Sequence, residues 1–243
     1  MSKLTFRTVA TAVAILTAPA AILVYAQGAA ASPEQVTVIP DPASDASLAS
    51  SHGSSKAVLA GGCFWGVQAV FQYTKGVTGA VAGYSGGTKE TARYEMVGTE
   101  RTGHAESVQV TFDPKQISYG KILQIYFSVA HNPTELNYQG PDSGPSYRSA
   151  IFYANDEQKR IAEAYIAQLD QAHVFKAPIV TKLEAFKGFY PAEDYHQDFL
   201  VLHPTYPSIV INDQPKVGNL KRLFADQYRD TPVTVMASNK PSQ

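Results

Sequence analysis

Apolar positions along this chain switch between period two and helical spacing, and the switches mark out most of a fold. Residues 57–60 form a short apolar run stopped by Gly61 and Gly62, after which Val67, Val70 and Phe71 recur at helical spacing over 64–73. The pattern predicts strand, tight turn, helix. Segments 77–84 and 106–112 read as strands, the second with Val108, Val110 and Phe112 on one face and Asp113-Pro114 closing it. Ser118 is placed to cap a helix bearing Ile122, Leu123, Ile125, Tyr126 and Val129, which ends before Asn132-Pro133. A strand over 149–153 comes next, then a helix capped by Asn155 with Ile161, Ala164, Tyr165 and Leu169 inward. A strand over 179–183 that closes the sheet and a helix over 192–202 complete the set. Mixed strands and helices without strict alternation or internal repeat indicate one α/β (α+β) domain. The segments 85–104 and 131–147 lack periodicity, and loops that long in a small domain are usually functional.

The ends read differently. Residues 1–26 carry Lys3, Arg7, no acid and an apolar run, with Val24 and Ala26 as small residues before a cut, which is the pattern of a secretory signal peptide. An uncleaved anchor is the alternative reading of this nearly span-length run, and Pro19 argues against it. A periplasmic or secreted location is expected. Residues 27–55 are Ala, Ser, Pro and Asp with few large aliphatics, the composition of a disordered linker, and 230–243 reads as a flexible tail. The catalytic domain is expected over 56–229.

Composition narrows the chemistry. Twenty Lys and Arg against 21 Asp and Glu give a formal charge of −1, which offers no basic field for a nucleic acid. Apolar residues are scattered beyond the first segment, so membrane contact is expected only through 1–26. A monomer is expected. One cysteine among 243 residues excludes an internal disulfide, a Cys-x-x-Cys pair and any multi-cysteine metal site. His196 and His203 are seven apart rather than i, i+4, so no metal is expected.

The single cysteine stands in Gly61-Gly62-Cys63-Phe64-Trp65-Gly66, at the junction of the first strand and helix. A sulfur there lies near unpaired amides and the positive helix end, which lower a thiol's pKa and favour the reactive thiolate. The glycines leave it open, and Phe64 and Trp65 supply aromatic surface for an apolar or sulfur-bearing group. The plainer reading is a small buried hydrophobe, the commoner fate of a free cysteine.

Four motifs then favour the reactive reading together. Gly62-Cys63-Phe64-Trp65-Gly66, Gly83-Tyr84-Ser85-Gly86-Gly87, Gly103-His104-Ala105-Glu106 and Tyr147-Arg148-Ser149-Ala150-Ile151, in this order, resemble the peptide methionine sulfoxide reductase A family. The resemblance spans nearly the whole of the folded segment and implies a two-layer α/β sandwich on a mixed central sheet. It also implies reduction of the S epimer of methionine sulfoxide, free or in proteins. By position it makes Cys63 the nucleophile and Glu106 the proton donor. Tyr94 and Tyr147 then hold the sulfoxide oxygen, Asp142 organises the site, and Phe64 with Trp65 cages the substrate methyl. Pro141, Pro145-Ser146 and Asn132 depart from the residues common in relatives, all within loops.

The chemistry is consistent with that assignment. A sulfoxide sulfur is electrophilic only when its oxygen is protonated or strongly hydrogen-bonded, so a thiol and a neutral acid must act together. Taken singly, Glu106 would read as a strand-edge carboxylate and the tyrosines as packing residues. Two other readings stay open: a Cys-His acyl-transfer enzyme using His104 or His196, and a non-enzymatic module gripping peptides around Trp65. No bound cofactor is expected. A sulfenic acid on Cys63 would have no second thiol in its own chain, so an external reductant of thioredoxin, glutaredoxin or glutathione type is implied.

Overall fold

The first apolar run becomes a central strand. In the computed structural model, which describes residues 38–46 and 53–238, β1 (Ser55–Gly61) lies antiparallel between β3 (Ala105–Phe112) and β6 (Ser149–Tyr153). Beyond β3 follow β2 (Val77–Ser85) and, at one edge, β8 (Phe189–Pro191). At the other edge β7 (Lys182–Ala185) runs parallel to β6, making a mixed six-stranded sheet of order β7-β6-β1-β3-β2-β8. The α/β single-domain expectation holds.

Period-two alternation sorts the strand side chains between two faces. Leu59, Ala82, Val108, Val110 and Ile151 join the main core beneath α1 (Phe64–Gln72), α3 (Tyr119–Ile125) and α4 (Asp156–Gln171). Val58, Ala60, Ala105, Ala150 and Phe152 form a smaller cluster on the opposite face. In α1, Val67, Val70 and Phe71 are fully buried, each contributing about 1.5–3 kcal/mol relative to exposure. The predicted caps are present: Ser118 Oγ accepts from the Lys121 amide at 3.1 Å and Asn155 Oδ1 from the Gln158 amide at 2.9 Å. The helix begun by α3 continues as a wider π turn over Tyr126–Ala130, tied to β1 by the Tyr126 hydroxyl donating to the Ala60 carbonyl at 2.6 Å.

Two expectations need correction, and one element was not foreseen. The strand read over 179–183 lies at Lys182–Ala185. The Ile179 amide instead donates to Asp170 Oδ1 and the Val180 amide to the Pro133 carbonyl, so these apolar residues pin a loop rather than pair in the sheet. The helix read over 192–202 is a 3₁₀ turn (Asp194–His196) and, separately, the single turn α5 (Phe199–Leu202). Gln197 between them is extended because its side-chain amide bonds both the N–H and carbonyl of Ala82, and Asp198 takes φ 57°. A helix over 209–223 was not expected: a π turn (Ile209–Asp213) leads into α6 (Gln214–Leu223), which packs on α1.

The expected tether and tail also pack, in part. Ile39 is buried, the Tyr165 hydroxyl donates to the Pro40 carbonyl at 2.7 Å, and the Asp45 carboxylate accepts from Ser118 Oγ and the Gly120 amide. At the other end, Asp198 accepts the amides of Val235 and Met236, both at 3.0 Å. The leader reading of 1–26 lies outside the described residues. Among the described residues, no helix is long and apolar enough to cross a membrane. Asp45→Ala should remove a brace at the start of α3, lowering stability by about 1 kcal/mol in urea unfolding and speeding amide exchange near Gly120.

Candidate active site

The turn that presents the cysteine depends on two glycines and one glutamine. Gly62 has φ +84°, and a Cβ there would stand 2.5 Å from Gln139 Cβ, so only glycine fits. Gln139 lies in β4 (Tyr138–Gln139), paired with β5 (Asp142–Ser143), and its amide is fixed on the backbone N–H and carbonyl of Asn132. Cys63, half-buried, opens α1 as its N-cap residue.

Glu106 reaches this point by register. Leu59 faces Val108 across the β1–β3 ladder, so Glu106, two residues earlier on β3, lies level with the end of β1. It shares a face with Val108, Val110 and Phe112, and is buried at the end of that apolar stripe. The Phe64 amide, a free donor of the first helical turn, donates to Glu106 Oε2 at 3.0 Å. Burial, helped by the charges of Asp142, Glu100 and Asp213, outweighs that bond and pushes the Glu106 carboxyl up to about 8. A neutral carboxylic acid therefore stands beside the cysteine at neutral pH.

The thiol departs from expectation. The Trp65 amide and Lys216 favour the thiolate, as the helix start predicts, but burial and the charges of Glu106 and Asp213 push the Cys63 thiol well above its ordinary value. At rest it is protonated, and whichever of Cys63 and Glu106 ionises first raises the other.

The other expected residues converge on the same place. Tyr94 opens α2 (Tyr94–Val97), and Tyr147 ends a 3₁₀ turn (Pro145–Tyr147). Burial raises both phenols, and the charges of Glu106, Cys63 and Asp142 raise them further, so both hydroxyls stay protonated and able to donate. Burial and Asp213 also raise Asp142. Trp65 is half-buried and stacks on Phe199 with ring centres 3.8 Å apart. Phe64 is buried, its ring against Tyr84 and His196, so it backs the wall.

Several residues of the site were not legible beforehand. Glu193 accepts from the Tyr94 amide at 3.0 Å and the Tyr84 hydroxyl at 2.9 Å, anchoring the start of α2 to the sheet. Ser146, next to Tyr147, bonds Glu100 through both its amide and its hydroxyl. Arg148 spans Glu184 and the carbonyls of Gly103 and Pro145. Glu193 and Glu100 come from distant, irregular segments that no spacing in the sequence signals; Arg148 stands in one of the four motifs, but its partner Glu184 does not.

The histidines proposed as bases are used otherwise. His104 accepts the Gly87 amide and donates to the Thr88 carbonyl, closing a turn. His196 accepts the Trp65 indole N–H at 3.3 Å and packs among the rings of Phe64, Tyr94 and Tyr195; burial holds it neutral. This removes support from a Cys-His hydrolase. Among the described residues, no group of three or more His, Cys, Asp or Glu side chains could hold a metal ion.

Comparison with known proteins agrees with the geometry. Residues 55–228 match the family described as peptide methionine sulfoxide reductase. Peptide methionine sulfoxide reductase MsrA 2 of Mesorhizobium japonicum is 64% identical over 187 residues, 77% of this chain and 96% of its own. The chain belongs to the peptide methionine sulfoxide reductase A family. The MsrA 2 of Synechocystis is 47% identical over 194 residues, 79% of this chain and 91% of its own. Methionine sulfoxide reductase A of Corynebacterium diphtheriae superposes with TM-score 0.54 at 30% identity, covering 73% of this chain and 88% of that one. The reduced form of Mxr1 from Saccharomyces cerevisiae gives 0.57 at 30% identity, over 63% and 87%. The protein is thus a peptide-methionine (S)-S-oxide reductase.

The buried acid of this reductase couples to folding. The folded chain holds the Glu106 proton more tightly than the unfolded chain, where the carboxyl titrates near 4.5, so the associated stability is present at acid pH and lost as pH rises toward 8. Calorimetry of wild type and Glu106→Gln should show their melting temperatures diverging between pH 5 and 8.5, in favour of the variant. A constant gap would mean that the carboxyl is not held neutral.

Proposed function

We propose that Cys63 attacks the sulfur of a methionine S-sulfoxide while Glu106 protonates its oxygen, yielding methionine and a Cys63 sulfenic acid. The observation that supports this most directly is the Phe64 amide holding Glu106, its carboxyl pushed up to about 8, at the start of the helix that Cys63 opens. In balance, the substrate S–O bond breaks and one to Cys63 forms. Two electrons pass from the cysteine sulfur to the substrate sulfur, and Glu106 regains its proton from the thiol. The Tyr94 and Tyr147 hydroxyls donate to the oxygen as charge grows there, with Asp142 ordering the same loop cluster. The half-buried Trp65 and the ring of Phe64 behind it receive the substrate methyl.

Reduction of the sulfenic acid falls to an external thiol, since the chain has no second cysteine. That thiol displaces water to form a mixed disulfide with Cys63, and a second thiol releases the enzyme and a disulfide. A thioredoxin, a glutaredoxin or glutathione fits this role. The sequence pattern of 1–26 supports export and a task in repairing oxidised periplasmic or secreted proteins.

Only one epimer can direct its sulfur to Cys63 with its oxygen toward Glu106. With a dithiol present, a racemic sulfoxide peptide followed by chiral chromatography should stop near half conversion. Glu106→Gln should lose about 10²- to 10⁴-fold in rate. Because the acid must be protonated, wild-type kcat/KM should fall as pH rises through about 8, and the variant should lack that limb. Without reductant, excess substrate should yield about one methionine per enzyme, quantified with mass spectrometry of Cys63. Release of two equivalents would refute the single-thiol account.

A further inference from the structure

The mechanism leaves unused a buried ion pair packed against the helix that Cys63 opens. Asp213 is 3% exposed at the end of the π turn and Lys216 is 9% exposed in α6, with Lys216 Nζ 3.3 Å from Asp213 Oδ1. Both press on the helix that Cys63 opens. At Gly66, three residues from Cys63, an added methyl would strike the Asp213 carboxylate and lie 3.1 Å from the Lys216 side-chain stem. Burying two charges is costly, and apolar residues of similar volume often fill such a space more favourably. Charges packed on the helix that carries the sulfur are placed to act on its ionisation.

Other groups face the same sulfur. Glu106 comes from β3, the Trp65 amide from α1, Tyr94 from α2 and Tyr147 from the 3₁₀ turn, with Asp142 acting on Glu106 and both tyrosines. Lys216 also acts on His131, beyond the π turn that ends α3, whose ring burial pushes down to about 3 and keeps neutral. Burial raises the Asp213 carboxyl itself, and the Lys216 ammonium 3.3 Å away opposes that and favours the carboxylate. After burial and Glu106, Asp213 pushes the thiol up, and Lys216 opposes it less strongly.

We propose that Asp213 and Lys216 are positioning residues that govern ionisation of Cys63 from behind its helix: the carboxylate keeps the resting sulfur a thiol, and the ammonium limits that hold so the proton can leave when a sulfoxide arrives. This deepens the reductase reading and rests on Cys63 as nucleophile. A lone thiol with no partner in its own chain gains protection from it, because the thiolate is the form that oxidants carry to irreversible acids.

The test is alkylation of Cys63 by iodoacetamide against pH, on the full chain without substrate, since alkylation follows the thiolate fraction. Asp213→Asn should shift the midpoint down and raise the rate at pH 7 by about tenfold, the effect of a one-unit shift. Lys216→Met should move both in the opposite direction. The double variant should titrate between wild type and Asp213→Asn, because the carboxylate acts more strongly than the ammonium. Thermal unfolding checks that each variant folds. If a single variant does not, the double variant decides: a midpoint below wild type supports the proposal, and one equal to wild type overturns it. Coincidence of all variants with wild type also overturns it. A wild type that titrates as described yet forms no methionine from sulfoxide would fault the reductase reading and leave the pair's hold on the sulfur standing.

Discussion

The hydrogen bond from the Phe64 amide to the Glu106 carboxyl holds a buried acid at the start of the helix that Cys63 opens. It exists because the antiparallel register of β1 and β3 brings Glu106 to the place where β1 ends and α1 begins. A helix start is a place where carboxylates are normally stabilised. Here the site is dry and other acids lie near it, so the balance tips to the neutral acid. The same burial raises the cysteine, so both groups are protonated at rest.

Precision around that pair comes from polar struts rather than from regular structure. Glu193, Glu100 and Arg148 each tie a loop bearing a site residue to another segment through two or more hydrogen bonds, and Gln139 closes its own loop on Asn132. A typical hydrogen bond contributes only about 1 kcal/mol net, yet stranding a buried partner costs more. These bonds fix the loops over 85–104 and 131–147 without regular secondary structure. Gln197 does the same inside the domain, which is why the chain there turns away from a helix to deliver one side-chain amide to Ala82.

The segments outside the expected domain take part as well. Residues 38–46 lie across α3 and α4 through Ile39, Pro40 and Asp45, and the chain near Val235 closes on Asp198. Composition predicted a tether and a tail because too few large aliphatics are present to fold alone. Neither segment needs its own core, since a prebuilt surface supplies one buried aliphatic and a few hydrogen bonds.

Local pattern determined the strands β1, β2, β3 and β6 and the helices α1, α3 and α4 with their Ser118 and Asn155 caps, while the candidate residues from Cys63 to Tyr147 came from the family resemblance that four ordered motifs carry. Period and capping depend on neighbours a few residues away, so they survive in the sequence. Other features were decided only by tertiary contact: the break at Gln197, the loop at Ile179, the π turn into α6, the struts Glu193 and Glu100, and the Asp213–Lys216 pair. The direction of the thiol belongs with them. A helix start by itself predicts a lowered pKa for Cys63, but ionisation answers to desolvation and to charges from β3 and α6, which lie 43 and 150 or more residues along the chain. Those distances become contacts only when the sheet closes, and no spacing in a linear sequence records how much water the closure expels.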